Sequence, residues 1–133
     1  MALPTIQQSN RPKWTTGSSV TIERSGTMLA RHIEVAGDSA SRKKGLLGRD
    51  GLDPGCAVVI VPCQGVHTFG MRFAIDIVAV SRDGVVVKIR SHVPRRRIVL
   101  ALKAYAIVEL PSGSADAADL KIGDRLVVSH RTL

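Results

Sequence analysis

The sequence predicts a mainly β domain, all-β or α+β, built as a compact β-sandwich or partly closed barrel of about seven or eight short strands with one or two short helices. Three observations carry that prediction. The chain is 44% hydrophobic but only 3% aromatic, so its interior is built from Val, Ile, Leu and Ala, side chains that suit pleated surfaces. Its apolar runs are short and punctuated by Gly, Pro, Asp and Ser. At 133 residues it has the length of one domain able to bury a core without disulfides.

Residues 1–19 are rich in Ser, Thr, Gln and Pro and read as a flexible tail, leaving 20–133 as the single β-rich domain. Val20 to Arg24 reads as a strand and Ser25-Gly26 as a turn. Thr27 to Ala36 reads as a second strand, completing a hairpin, with Leu29, Arg31, Ile33 and Val35 on one face. Arg31 does not fit that face. Asp38 and Ser39 offer N-cap chemistry for a short basic helix through Arg42, Lys43 and Lys44, with Gly48 as its expected stop. Gly51 to Gly55 is a loop, and Cys56 to Pro62 is a continuous apolar run that fits a strand covered on both faces.

A strand is expected from Ile75 to Val80, and the Asp83-Gly84 turn pairs it with Val85 to Ser91 as a hairpin. His92 to Ala104 reads as irregular and cationic. Tyr105 to Leu110 returns to strand, Ser114 caps a short helix, and Lys121 to His130 closes the fold with a last strand.

Asp76 is the anomaly around which the functional reading turns. It stands in FAIDIVAV, where both faces of the strand are apolar. Aspartate is seldom buried without partners, so it stays neutral or is matched by a cation or by backbone donors. Arg49, His67 and Arg72 are the cations considered. The matched cluster is either a strut that sets strand register or a binding site.

Cys56, Cys63 and His67 fit none of the paired zinc spacings, and no metal is expected. Cys63 with His67 resembles a thiol and its base, but no third group orients the pair. Cys63 is equally a small core hydrophobe. No P-loop, dinucleotide fingerprint or Gly-x-Ser-x-Gly element occurs, and no cofactor is expected.

Nineteen Lys and Arg against eleven Asp and Glu give a formal net charge of +8, a field that concentrates anionic partners. Scarce aromatics disfavour nucleic acid, which single-strand binders hold by stacking. Without a secretory leader or an apolar run of spanning length, the expectation is a cytoplasmic protein with no membrane partner.

Four segments, RKKGLLGRDGL, HTFGMRFAIDIVAVSRDGVVVKI, AIVELPSG and KIGDRL, together resemble the signature of the family called domain of unknown function 192, small prokaryotic proteins. The likeness spans Ile33 to Val128. Carried over, the family's Arg-x-x-Gly-Leu-x-x-Arg element matches Arg42, Gly45, Leu46 and Arg49. Its central strand matches Met71, Ile75 and Asp76, and its late Glu and Gly-Asp match Glu109 and Gly123-Asp124. Where many relatives carry Trp before that Met and Asn-Thr after it, this chain has Gly70 and Arg72-Phe73. The resemblance implies a compact, mainly β fold and no established activity, cofactor or substrate.

The leading functional expectation is a non-catalytic binding module that takes an anionic small molecule or acidic peptide at Arg49, His67, Arg72 and Asp76. The alternatives are a hydrolase-type enzyme using Asp76 or His67 as acid or base, and a basic interaction or nucleic-acid accessory protein acting through Arg95, Arg96 and Arg97.

Overall fold

The structure, a computed structural model, describes residues 11–130. Ten strands and two short helices follow in the order β1 (Ser19–Ile22), β2 (Met28–Ala30), β3 (His32–Ala36), α1 (Ser39–Lys44), β4 (Cys56–Ile60), β5 (Gly65–His67), β6 (Ile75–Val80), β7 (Val86–Val93), β8 (Ile98–Leu100), β9 (Ala106–Pro111), α2 (Ser114–Ala117) and β10 (Leu126–Ser129). The mainly β expectation holds. Among the described residues the strands form three sheets and do not close into a barrel.

The central sheet has five strands in the order β3-β4-β9-β6-β7, all neighbours antiparallel except β3 and β4. A parallel pair needs a crossover, and the segment containing α1 supplies it. Every residue of β6 is buried, because β6 lies inside the sheet and both faces are covered.

Alternation along these strands sends side chains into two separate cores. Ile33, Val59, Val78, Val80, Val108 and Leu110 meet Val20, Ile22, Leu29 and Leu126 from the three-stranded sheet β10-β1-β2, with Ala115 of α2. On the opposite face Ile60, Ile75, Ile77 and Ile107 meet Leu46 after α1, Met71 and Val99 of the two-stranded ribbon β5-β8. The molecule is therefore layered, with the large sheet in the middle.

Several elements differ from expectation. The second strand is broken at Arg31 into β2 and β3, which belong to different sheets. Arg31 is exposed at that break and its N–H donates to the Gly55 carbonyl at 2.8 Å, which removes the mismatch of a cation on an apolar face. Helix α1 ends at Lys44, capped by Gly45 at φ 44°, rather than at Gly48. Asp38 caps it as expected, with Oδ1 accepting from Ser41 N–H at 2.8 Å. The stretch read as irregular holds the end of β7 and all of β8, so the strand count exceeds the expected seven or eight.

Within the expected tail, Trp14 packs against the first core, Ser18 is buried and Gly17 N–H donates to the Ile33 carbonyl at 2.8 Å. Residues 1–10 of that tail, and 131–133 at the other end, lie outside the described residues.

Candidate functional site

Asp76 faces the first core, opposite the α1 side, and is 0% exposed. Among the described residues no cation pairs with it. Its Oδ1 accepts from the backbone N–H of His92 at 2.9 Å and of Gly113 at 3.0 Å, and its Oδ2 accepts from Ala115 N–H at 2.8 Å. Three backbone donors around one carboxylate supply the compensation that burial requires. The carboxylate thereby ties β7 and the start of α2 to the central strand.

The expected cluster of Arg49, His67, Arg72 and Asp76 is therefore not assembled. His67 stands on β5, on the other side of the sheet. Arg72 pairs with exposed Asp50, Nη1 to Oδ1 at 2.5 Å, and Arg49 pairs with Glu34. Asp76, sealed from solvent and with both oxygens engaged, is excluded as a general acid or base, which needs contact with a substrate proton.

A different group converges on that other face. A cavity of about 320 Å³ is lined by Arg42, Lys43 and Lys44 of α1, by Gly45, Leu46 and Met71, by Cys63 and His67, and by Glu109 of β9. Glu109 alternates with Ile107, which turns its side chain away from Asp76 and toward α1. It is 2% exposed, and among the described residues its Oε1 has no hydrogen-bond partner. Burial pushes its carboxyl up to about 7, against a smaller opposing pull from Arg49.

Gly45 makes room for this arrangement. A Cβ built there would stand 3.4 Å from Glu109 Oε1, so the backbone closing α1 lies directly over the carboxylate. At φ 44° the residue occupies the region glycine tolerates best. Five of the ten residues carried over from the family resemblance, Arg42, Gly45, Leu46, Met71 and Glu109, line this one cavity. Gly123 and Asp124 do not. They form the turn before β10, where Arg24 Nε donates to Asp124 Oδ1 at 2.7 Å and holds that carboxyl below its ordinary range.

Cys63 is half-buried, its thiol donates to the Gly65 carbonyl at 3.0 Å, and burial pushes it above its ordinary value. A raised thiol committed to a carbonyl is the opposite of an activated nucleophile. Cys56 and Cys63 are both free. Among the described residues no group of three or more His, Cys, Asp or Glu is arranged to hold a metal.

Glu109 was within reach of sequence reasoning. It sits in AIVELP as Asp76 sits in FAIDIVAV, an acid inside an apolar strand. Lys43 and Lys44 gave no such signal, because cations on a short helix are ordinarily solvated.

No curated protein matches the sequence. The chain is similar to a crystal structure of a protein of unknown function from Novosphingobium aromaticivorans DSM 12444, with 23% identity, a TM-score of 0.73, and coverage of 81% of this chain and 82% of that one. It is also similar to a protein from Sinorhizobium meliloti 1021 provisionally described as a transcription regulator, with 19% identity, a TM-score of 0.72, and coverage of 86% of this chain and 95% of that one. At these identities both likenesses speak to the fold alone. Residues 20–128 match the pattern of domain of unknown function 192, described as "Uncharacterized ACR". That match covers most of the chain, and the protein belongs to this uncharacterised family.

Proposed function

We propose that the protein is a non-catalytic binding module whose cavity between α1 and β9 receives a small molecule with an anionic group and an N–H donor. One observation carries the reading: a buried carboxylate with an unpartnered oxygen lies in a cavity whose lining includes three cations. An ionised buried carboxylate is costly without a partner, and a ligand amine supplies both the hydrogen bond and the charge. Arg42, Lys43 and Lys44 offer the complementary contacts to a carboxylate or phosphate. Arg72 and Asp76, part of the site expected from sequence, have no role in it. The volume suits a small molecule rather than a peptide.

Thermal-shift screening followed by titration calorimetry tests this, using amino acids and phosphorylated amines alongside the same acids lacking the amine. Amine-bearing ligands raise the melting temperature, and their affinity increases as pH rises through about 7, where Glu109 loses its proton. Glu109→Gln abolishes that pH dependence, and Lys43→Ala with Lys44→Ala weakens binding at every pH. A panel that shifts neither the wild type nor the variants, or binding that Glu109→Gln leaves intact, defeats the reading.

A further inference from the structure

Seven large apolar side chains are exposed among the described residues, and four of them gather at the β5–β8 ribbon. Ile98 is 65% exposed, Leu100 60%, Leu102 80% and Phe69 47%. Cross-strand register joins them. His67 pairs with Ile98, Gly65 pairs with Leu100, and the rings of His67 and Phe69 lie 5.8 Å apart. Gly65 lets Leu100 lie across β5, since a Cβ there would stand 2.7 Å from Leu100 Cδ2. Ile98 and Leu100 thus share one face of β8 with the Phe69 ring nearby, and Leu102 follows two residues on, a grouping that isolated exposed leucines lack.

The segment that carries β8 bears one sign of charge. From Gly84 to Val108 the chain has no Asp or Glu, but contains Lys88, Arg90, Arg95, Arg96, Arg97 and Lys103. Buried Thr68 holds the arginine loop beside the ribbon: its Oγ1 donates to the Pro94 carbonyl at 2.7 Å and accepts from Arg97 N–H at 2.9 Å. Arg95, Arg96 and Arg97 are all exposed.

We infer that this ribbon is a docking surface for an anionic lipid bilayer, with Ile98, Leu100, Leu102 and Phe69 entering the interface and the flanking cations meeting lipid headgroups. Peripheral attachment of this kind needs no spanning segment, only apolar area coupled to basic charge. Among the described residues no helix is long and apolar enough to cross a membrane, which the attachment does not require. Side chains exposed this far stand off the surface and fit a plane better than a groove would. The exposed arginines beside β8 disfavour a second copy of the chain on this face. An added peptide strand is disfavoured too, because the Leu100 carbonyl accepts from Lys88 Nζ at 2.5 Å and the Leu102 carbonyl from Gln64 Nε2 at 2.8 Å.

Flotation of the full chain with vesicles tests the inference. The protein floats with phosphatidylglycerol-containing vesicles and stays behind with pure phosphatidylcholine. Replacing Arg95, Arg96 and Arg97 by Gln lowers partitioning by about a hundredfold, at roughly fivefold per cation. Leu100→Ser with Leu102→Ser lowers it by about tenfold. All these side chains are exposed, and unchanged far-UV circular dichroism verifies the variants. Leu102→Trp provides a second readout, its emission shifting to the blue on anionic vesicles as the ring leaves water. Leucine variants that float like the wild type, or an unshifted Leu102→Trp spectrum on vesicles that bind, reduce the effect to bulk charge and overturn the inference. Binding to polyglutamate that the leucine variants lose, with vesicles left unbound, reassigns the patch to an acidic protein and overturns it equally.

Discussion

Two acids stand in neighbouring strands of one sheet, and their surroundings give them opposite roles. Asp76 is met by three backbone N–H groups, whereas Glu109 has an oxygen with no partner among the described residues. Asp76→Asn places an amide group where backbone donors converge, and we expect a loss on the order of 3 kcal/mol in urea unfolding. Glu109 acts through pH. Its ordinary value of 4.5 is raised to about 7 in the folded chain, so between these limits the folded state holds a proton that the unfolded state has released. Its contribution is complete below the lower value and is lost as pH rises through the upper one, about 3 kcal/mol in all. Unfolding measured from pH 4.5 to 8 will show that decline in the wild type. In Glu109→Gln this part of the slope disappears.

Among the elements, the smallest ones carry the functional surfaces. Helix α1 has six residues, no buried side chain and a basic last turn. It contributes nothing to the core and brings three cations to the cavity. The β5–β8 ribbon depends on Thr68, whose hydroxyl and backbone link β5 to the arginine loop, with its N–H donating to the Arg97 carbonyl at 2.8 Å. Thr68→Val keeps the shape and deletes the hydroxyl, leaving the Pro94 carbonyl and Arg97 N–H unsatisfied. A cost of about 2 kcal/mol follows. Hydrogen exchange will report faster opening at Arg97, with β6 amides quickened only by the global loss of stability. Equal protection of Arg97 in both proteins would remove Thr68 from this role.

For the whole molecule the decisive feature is strand order. β9 arrives late in the chain yet sits between β4 and β6, and β1 pairs with β10, Ser19 opposite Ser129. The central sheet stays open until residues 106–111 are in place, so loop-closure entropy is met before the contacts that offset it. Refolding followed by stopped-flow fluorescence of Trp14, which packs on the first core, will run on the millisecond-to-second scale. Submillisecond refolding would contradict a nucleus that needs β9.

Composition and alternation by themselves determined a mainly β fold, the strands at Cys56–Ile60 and Ile75–Val80, and the demand that Asp76 be matched by donors. Those properties are local, because burial is written into the spacing of side chains along one strand. Only the tertiary structure decided which donors answer Asp76, why Arg31 is exposed, and that Glu109 shares a cavity with Arg42, Lys43, Lys44 and Gly45 across more than sixty residues of chain. Strand order brings these groups together, and a two-residue repeat tells which face a residue occupies but says nothing of which distant segment covers that face.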